Sequence, residues 1–443
     1  MERKNRRGSQ CSLFPYGGRL LFLAVLIVFP APSSGQELDL PSPLSLKAAI
    51  RIALGKNPAV KAAQNGVEIS QALQLDASKR LNPAFTLNTE GWRAFSPDQG
   101  PFFRTAETFA LFSYEIETAG KRSLRTRAAD LGVETAQAGL EDQRRLLTLQ
   151  VERAYFRAVL ASANLEVAQS VLGEIDRVIG LNQVRYTRGE ISGGELKRSE
   201  VERLRFLDDV FAAQLELRNA KSELLALFAS PDLSRDFQLG ETLPVNLSQP
   251  LGFPEVSSVS SLVKLQETAL RQRPDLREAL REEQRADTET LHQRAIRSPN
   301  VTVQGGYKRT EGFHALALGV TVPLKVFNRN EGGIAQAEAE LARARNQAEL
   351  TRTALLLEIQ KAYNAIQVNR ERVRYLEEEY LRKSDQSREI VTASYRLGEA
   401  NLIDFLDAER AYRETRRIYN QALYEYRISL YELAAAVGEG FPQ

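Results

Sequence analysis

Apolar residues recur every three or four positions over two very long stretches of the chain. Leu147, Val151, Ala154, Ala158, Ala161, Leu165, Ala168 and Leu172 are spaced four and three apart. Leu355, Ile359, Ala362, Ile366, Asn369, Val373, Leu376 and Tyr380 repeat the spacing, with Asn369 the one polar member. An average repeat of about 3.5 residues keeps one seam turned toward a partner helix. No proline falls between Lys121 and Tyr186 or between Glu331 and Tyr395. Long helices are therefore predicted over 121–186 and 331–395, each ~100 Å if continuous. That length signals coiled coil. Return helices are predicted over 192–228 and 402–437; the second carries Tyr419, Leu423, Tyr426, Leu430, Leu433 and Val437 along its seam. Charged residues such as Arg343, Arg345, Glu349 and Arg352 cover the other faces and read as a solvated surface.

A different period appears ahead of each long helix. From His314 to Leu324, Leu316, Leu318, Val320, Val322 and Leu324 alternate with small or polar residues. Ala106 to Glu117 alternates less cleanly, with Ala110, Phe112, Tyr114 and Ile116 on one face. Strict alternation means a strand with two unlike faces. Asn82–Arg93 and Asn300–Lys308 supply partners, which predicts hairpins over 83–117 and 299–324. Strands of ~10 residues are the length a tilted transmembrane strand needs. A single hairpin of this kind would equally suit packing on a soluble helix.

The two patterns are halves of one duplication. Leu54, Pro58 and Pro83 match Leu270, Pro274 and Pro299 at a spacing of 216 residues. Ala154-Tyr155 matches Ala362-Tyr363 at 208, and Tyr186, Gly189 and Glu190 match Tyr395, Gly398 and Glu399 at 209. The first drop places an insertion of about eight residues in the first half, read as Phe95–Pro101. A repeat this long is a duplicated domain, not a solenoid unit. The first repeat is placed at 36–229 and the second at 262–438. Between them, 230–261 holds Pro231, Pro244, Pro250 and Pro254 with little periodicity and reads as a linker; 439–443 is a short tail. Short helices from Leu46 to Asn57 and from Leu262 to Arg273 each stop at a proline, and helical patterns resume to Leu81 and Ser298.

The N-terminus reads as a secretory signal over 1–35. Arg3, Lys4, Arg6, Arg7 and Arg19 precede or border the ten-residue apolar core Leu20–Phe29, and Ser33 and Gly35 suit cleavage before Gln36. Ten residues cannot cross ~30 Å of hydrocarbon as a helix. The single cysteine, Cys11, precedes that core, so cleavage leaves neither a disulfide frame nor a thiolate site. His292 and His314 lie in different predicted elements, which excludes a multi-histidine metal site within one chain. Loss of five basic residues and Glu2 moves the formal charge from +2 to −2, which argues against a nucleic-acid binder. No other stretch approaches 18 consecutive apolar residues, so entry into a membrane would have to be as strands.

Two hairpins per chain give four strands, too few to close a barrel, and an open edge in lipid leaves backbone groups unsatisfied. Three copies supply twelve strands, an allowed number for an outer-membrane barrel. The expected fold is mainly α with β: duplicated helical hairpins and two β-hairpins per chain, forming a trimeric α-barrel and a twelve-stranded transmembrane β-barrel. The order, the duplication and several motifs resemble the TolC-type outer-membrane efflux proteins over essentially the whole chain after residue 35. Leu44–Leu54 through Asn57-Pro58 resembles that family's first helix, as do Tyr395-Arg396-Leu397-Gly398-Glu399 and Leu402–Glu409. The strand-to-helix junctions at Glu117–Arg122 and Pro323–Gly332, with Gly120, Lys121, Arg122, Asn328, Arg329, Asn330 and Gly332, look like those of cobalt–zinc–cadmium-type heavy-metal efflux systems. Turn chemistry explains the same residues.

The resemblance implies a homotrimeric channel in the outer membrane with a large periplasmic portion. It would dock on a periplasmic adaptor and an inner-membrane RND-type pump. The glycine turns at Gly189, Glu190 and Ser192 and at Gly398 and Glu399 would then ring the periplasmic mouth and meet the adaptor. Glycine suits a helix C-terminus and Ser192 or Asn401 the next N-cap. By resemblance Asp404 and Asp407 line the closed aperture and Tyr395 belongs to the network that holds it shut. A threefold ring of carboxylates would attract cations; a first-turn acid favoured by the helix dipole explains Asp404 as well. The family pattern has arginine where Ala400 stands, so that network is incomplete here. Glu195 and Arg198 occupy the equivalent places in the first half, where an Asp407–Arg198 pair is possible.

No phosphate loop, nucleophile elbow or HExxH motif is present, and Glu377-Glu378-Glu379 lies on a charged helical face, so no enzyme and no cofactor are expected. Multidrug efflux and type I protein secretion remain alternatives within transport, and a structural periplasmic coiled coil is the alternative outside it. With one methionine, no cysteine after residue 35 and separated histidines, the chain is not built to select a metal by coordination.

Overall fold

The computed structural model describes residues 40–91, 106–243, 259–310 and 312–438. The expected signal, the Phe95–Pro101 insertion, the central part of the linker and the tail lie outside the described residues. Ser45 starts α1 (Leu46–Lys56) by accepting a hydrogen bond from the Ala48 amide at 3.3 Å. Asn57 ends that helix and begins α2 (Pro58–Ser78): its Oδ1 accepts from the Ala59 amide at 2.8 Å, and Pro58 takes the first helical position, where no amide is needed. The helix stops three residues short of the expected Leu81. The second repeat has α5 (Val259–Gln272) and α6 (Pro274–Ile296), with Pro274 again in the first turn but no side-chain cap from Arg273. Ser230–Leu243 of the linker is draped back on the first repeat, where Leu239 bridges Leu44 in parallel.

Four strands follow the expected places: β1 (Ala84–Glu90), β2 (Glu107–Ile116), β3 (Val301–Thr310) and β4 (Phe313–Thr321). Val322 and Leu324 continue the sequence alternation but leave the strand. The two hairpins are not separate. β2 pairs antiparallel with β3, so a single sheet runs β1-β2-β3-β4 across both repeats. Its register lines up Phe85, Phe112, Gly305 and Leu318 in one row, and Leu87, Ala110, Tyr307 and Leu316 in the next. Those rows share a face, because side chains alternate across a strand. The face is apolar yet exposed: Leu316 is 87% and Leu318 89% accessible. The opposite face carries Thr86, Asn88, Ser113, Gln304 and Thr321. Among the described residues, β1 and β4 each keep one edge without a partner.

The long helix α3 (Lys121–Thr187) runs unbroken for 67 residues, ~100 Å. It packs against α1, α2, α6, α9 (Leu402–Val437) and its own return helix α4 (Gly193–Leu227). The seam alanines Ala158 and Ala161 are buried with Ala220 of α4, where small side chains let the helices approach. Lower down, Phe156 stands edge-on to Tyr155 and stacks on Tyr431 of α9, both with centroids 5.4 Å apart. The Tyr155 hydroxyl donates to the Leu44 carbonyl at 2.8 Å.

The second long helix differs from expectation. It is α7 (Glu331–Tyr375), then a π-helical segment Leu376–Leu381, then α8 (Arg382–Leu397). A π turn closes i to i+5 and so holds one residue more than an α turn. The repeat spacing steps from 208 at Tyr155/Tyr363 to 209 at Tyr186/Tyr395, and this segment lies between those marks. From there the 209 spacing persists: Ser192 and Asn401 are both N-caps, and Ala229 and Gly438 both take left-handed backbone after the return helices. The π segment is therefore where the second repeat absorbs its extra residue. The seam feels it, since Leu376 stays buried while Tyr380 is 45% exposed.

Candidate functional site

The end of the helices remote from the sheet carries two turns built alike. Gly189 has φ +78° and Gly398 φ +83°. Glu190 N donates to Arg185 O, and Glu399 N to Ser394 O, both at 2.9 Å, the six-residue closure of a Schellman motif. Ser192 then accepts from the Glu195 amide at 3.2 Å, and Asn401 from the Asp404 amide at 2.9 Å. Gly189, Glu190, Ser192, Gly398 and Glu399 are all exposed, at the extreme of the molecule.

Beneath the turns lies a small apolar core: Val171, Ile175 and Val178 of α3, Phe206 of α4, Tyr395 of α8, and Leu402, Phe405 and Leu406 of α9, with Ala400 against it. Tyr395 is 1% exposed, stacked on Phe405 at 5.2 Å. Its hydroxyl donates to Asn182 Oδ1 at 2.8 Å, while Asn182 Nδ2 is buried without a partner. Burial raises the Tyr395 phenol above its ordinary value, against the opposing Asn182 hydrogen bond. Arg185 ties the two hairpins together by donating to Tyr395 O at 3.2 Å and Arg396 O at 2.9 Å. This arginine belongs to the first repeat, whereas the carbonyls it bonds belong to the second.

Buried carboxylates surround this core. Glu174 of α3 pairs with Arg177 and with Arg396 of α8. Glu409 of α9, fully buried, pairs with Arg388 of α8 at 2.8 Å and leaves Oε2 without a partner. Burial raises the Glu409 carboxyl, the Arg388 hydrogen bond opposes that, and the Glu174 charge adds to it. Glu202 of α4 pairs with Arg205 and with Arg410 of α9. Glu409 ends the Leu402–Glu409 motif, but nothing in the sequence marked these acids as buried, because a charge on a helical face reads as solvated.

Asp404 and Asp407 are exposed on the first turns of α9. Asp404 is in no ion pair among the described residues, while Asp407 meets Arg410 of its own helix at 3.1 Å. Among the described residues of one chain Asp407 and Arg198 are not paired: Arg198 is exposed on α4, and Asp407 meets Arg410 instead.

The strand-to-helix junctions form a second cluster. Gly120 and Asn330 take left-handed backbone at the N-cap positions of α3 and α7. Lys121 is buried, donates to Ser298 O at 2.6 Å and also reaches Asn300 Oδ1. Burial, and then the Lys325 charge, lower its ammonium pKa, against the pull of Glu115 and Glu117. Arg122 donates to Ser78 O at 2.9 Å. Asn328 Oδ1 accepts from the Asn330 amide, and Asn330 Nδ2 donates to Gln293 O, both at 2.8 Å. The Arg329 amide donates to Glu331 at 2.9 Å. These residues join each hairpin to its neighbouring helices. Gly332 has open space around it, whereas a Cβ on Gly333 would lie 2.6 Å from Asn330 Oδ1. Asn330 Oδ1 is a side-chain atom, so Gly333 is the more confined of the two glycines without a backbone clash requiring it.

Among the described residues no helix is long and apolar enough to cross a membrane, and no group of three acidic, histidine or cysteine side chains could hold a metal. What the arrangement offers is a lipid-ready sheet at one end and a polar helical mouth at the other. The family model of the outer membrane efflux proteins matches residues 49–230 and 265–439. The chain belongs to that family: it is an outer-membrane efflux channel with a large periplasmic part. It is 28% identical over 396 residues to the cobalt-zinc-cadmium resistance protein CzcC of Cupriavidus metallidurans, covering 88% of each chain. Its fold matches VceC of Vibrio cholerae with a TM-score of 0.73 at 21% identity, over 90% of this chain and 97% of that one. It matches CusC, solved in relation to transmembrane channel formation, with a TM-score of 0.72 at 20% identity, over 89% and 92%.

Proposed function

We propose that three copies of this chain form the outer-membrane channel of a tripartite heavy-metal efflux system. The observation that carries the trimer is the four-stranded sheet with an apolar exposed face and two unpaired edges. Three such sheets close twelve strands and leave no backbone edge in lipid. The helices point the same way. α4 leaves Val201, Leu204, Phe211 and Leu215 exposed in a stripe, and α7 and α8 leave Leu350, Leu357, Val368, Tyr375, Ile390 and Leu397 exposed. α4 packs on α3, α3 on α9, and α9 on α7 and α8, so α4 and the α7–α8 helix stand at opposite ends of that packing order. Unlike flanks meet head to tail, and a head-to-tail contact that closes makes a ring.

Heavy-metal cations are the proposed substrate on the strength of the cobalt-zinc-cadmium resistance relative. The chain itself passes the ion and leaves its choice to the inner-membrane RND-type pump, reached through a periplasmic adaptor that docks at the Gly189 and Gly398 turns. At the mouth, Asp404 and Asp407 from three chains form the carboxylate ring that favours cations. Tyr395 and Arg185 hold the turns in place behind it.

The substrate is tested by deleting the gene and scoring growth in cobalt, zinc and cadmium against a panel of drugs. Sensitivity to drugs alone overturns the metal assignment. The ring is tested in planar bilayers, where Asp404→Ala with Asp407→Ala reduces cation preference more than Glu378→Ala. Unchanged ion selectivity removes the two aspartates from the pore. In-cell crosslinking from Glu190 and Glu399 captures the adaptor; capture from near Phe95 instead would invert the molecule.

A further inference from the structure

We propose that the collar where strands meet helices binds anionic phospholipid headgroups in the membrane leaflet that faces the helices. The inference rests on the chain's place in the outer membrane, not on its substrate or its mouth.

The strands set the level of the collar. β3 has ten residues and β4 nine, about 30 Å of extended chain, or ~22 Å of membrane depth once tilted by about 45°. The apolar band of an outer-membrane barrel is ~25 Å tall. The two ends of the sheet therefore lie at the two headgroup levels, and the helices begin at one of them.

That level carries an unmatched positive charge. Lys79, Arg80, Arg122, Arg297, Lys325 and Arg329 stand at the strand-to-helix junctions, and all are exposed. None of the six is in an ion pair among the described residues, whereas along the helices Arg277, Arg294 and Arg372 each meet an acid at 2.5–2.7 Å. The acids of the collar are already engaged. Glu117 pairs with Arg125, Glu115 accepts from Asn300, and Glu331 accepts from the Arg329 amide. Lys325 is near enough to the buried Lys121 for the two charges to oppose each other. The far end of the sheet is different: Glu90 and Glu107 there balance Lys308 and Arg309. A one-sided basic collar on a chain of formal charge +2 fits an anion supplied from outside.

A second observation says which anion. The alternation that marks the lipid face runs on past β4, from Leu318 and Val320 to Val322 and Leu324, and Val326 and Phe327 follow. Leu324 is 81% and Phe327 100% exposed. This apolar ridge lies directly beside Lys325 and Arg329. Basic side chains lay their stems along apolar surface and lift the charge to the phosphate level. Apolar insertion joined to basic charge is how protein surfaces hold anionic lipid. A phospholipid engages both parts, while inorganic phosphate leaves the ridge bare.

The intact assembly in detergent can be titrated with phosphatidylglycerol and with phosphatidylcholine, counting retained lipid by native mass spectrometry. Phosphatidylglycerol should be held about tenfold more tightly, and the preference should shrink as ammonium acetate is raised. Lys79→Gln, Arg80→Gln, Lys325→Gln and Arg329→Gln together should cut the preference to about twofold. Lys325→Arg should keep it. Phe327→Ser should weaken both lipids alike. A preference that survives the fourfold variant, or ignores salt, overturns the site. So does displacement of the lipid by inorganic phosphate. Loss of the trimer in Phe327→Ser gives the ridge to a neighbouring copy and overturns it too. Altered ion selectivity of the fourfold variant in phosphatidylcholine bilayers places the charges in the lumen, which is equally fatal. Should that variant fail to assemble, the salt dependence of the parent and of Lys325→Gln decides.

Discussion

The two helical hairpins come from one duplicated unit and end in nearly the same words, Tyr-Thr-Arg-Gly-Glu and Tyr-Arg-Leu-Gly-Glu. They use them differently. Tyr186 of the first is 46% exposed, whereas Tyr395 of the second is buried against Phe405 and bonded to Asn182. The first hairpin reaches the tip as continuous helix on an apolar face; the second passes through a π segment and is fastened by arginines. The motif sets the backbone turn in both. The neighbours decide which tyrosine is structural.

The largest expected contrast between the repeats lies lower down. Glu152 is buried on α3 and has no cation partner among the described residues, and the equivalent position in the second repeat holds the half-buried Gln360. Burial pushes the Glu152 carboxyl from 4.5 up to about 8. The folded chain therefore keeps a proton that the unfolded chain releases between those values. Stability is full below the unfolded value and falls as pH rises through that window. Glu152→Gln should remove the fall, on the order of 4 kcal/mol at pH 9, read from denaturant midpoints of parent and variant at pH 5 and pH 9. Parallel pH dependence in the two proteins sinks the assignment.

Next come the glycine turns. Valine at either φ disfavours the left-handed backbone by ~2 kcal/mol or more. Gly398→Val should abolish efflux in a deletion strain while trimer and insertion stay normal, because Arg185 clamps that turn to the other repeat. Gly189→Val, with open space around it, should retain part of the activity. Equal loss in both would erase the difference between the hairpins.

Smaller effects follow. Tyr395→Phe should cost about 1–2 kcal/mol by stranding Asn182, against no measurable change for Tyr186→Phe, both by detergent-phase denaturation. The smallest contrast is a null one. Asp404→Ala and Glu195→Ala should each cost ~0.5 kcal/mol, since both acids sit in the first turn of a capped helix. A markedly larger cost for Asp404 would mean that a partner within the assembly holds it.

Most of the elements were legible because their signals are local. Prolines at 58 and 274, caps at Ser192 and Asn401, and period-two runs ahead of each long helix each point to structure within a few residues. The pairing of β2 with β3 was not, since it joins segments some 190 residues apart and no local pattern specifies it. The π segment left a trace, the one-residue step in repeat spacing, but a step does not say whether a loop or a helix absorbs it. At the tip, the turns could be read from glycine and their caps. Glu174, Arg185, Asn182 and Glu409 could not, because a polar residue on a long amphipathic helix looks the same whether water or another helix faces it.

The unpaired edges of the sheet have a genetic consequence. In a closed ring of three, every chain lends one edge to each neighbour, so a chain with a spoiled edge spoils the ring it joins. With intact and edge-defective chains made in equal amounts, about one ring in eight contains only intact copies. Alleles that damage β1 or β4 should therefore be dominant. Alleles that block export should be recessive, because their products never meet the intact chains.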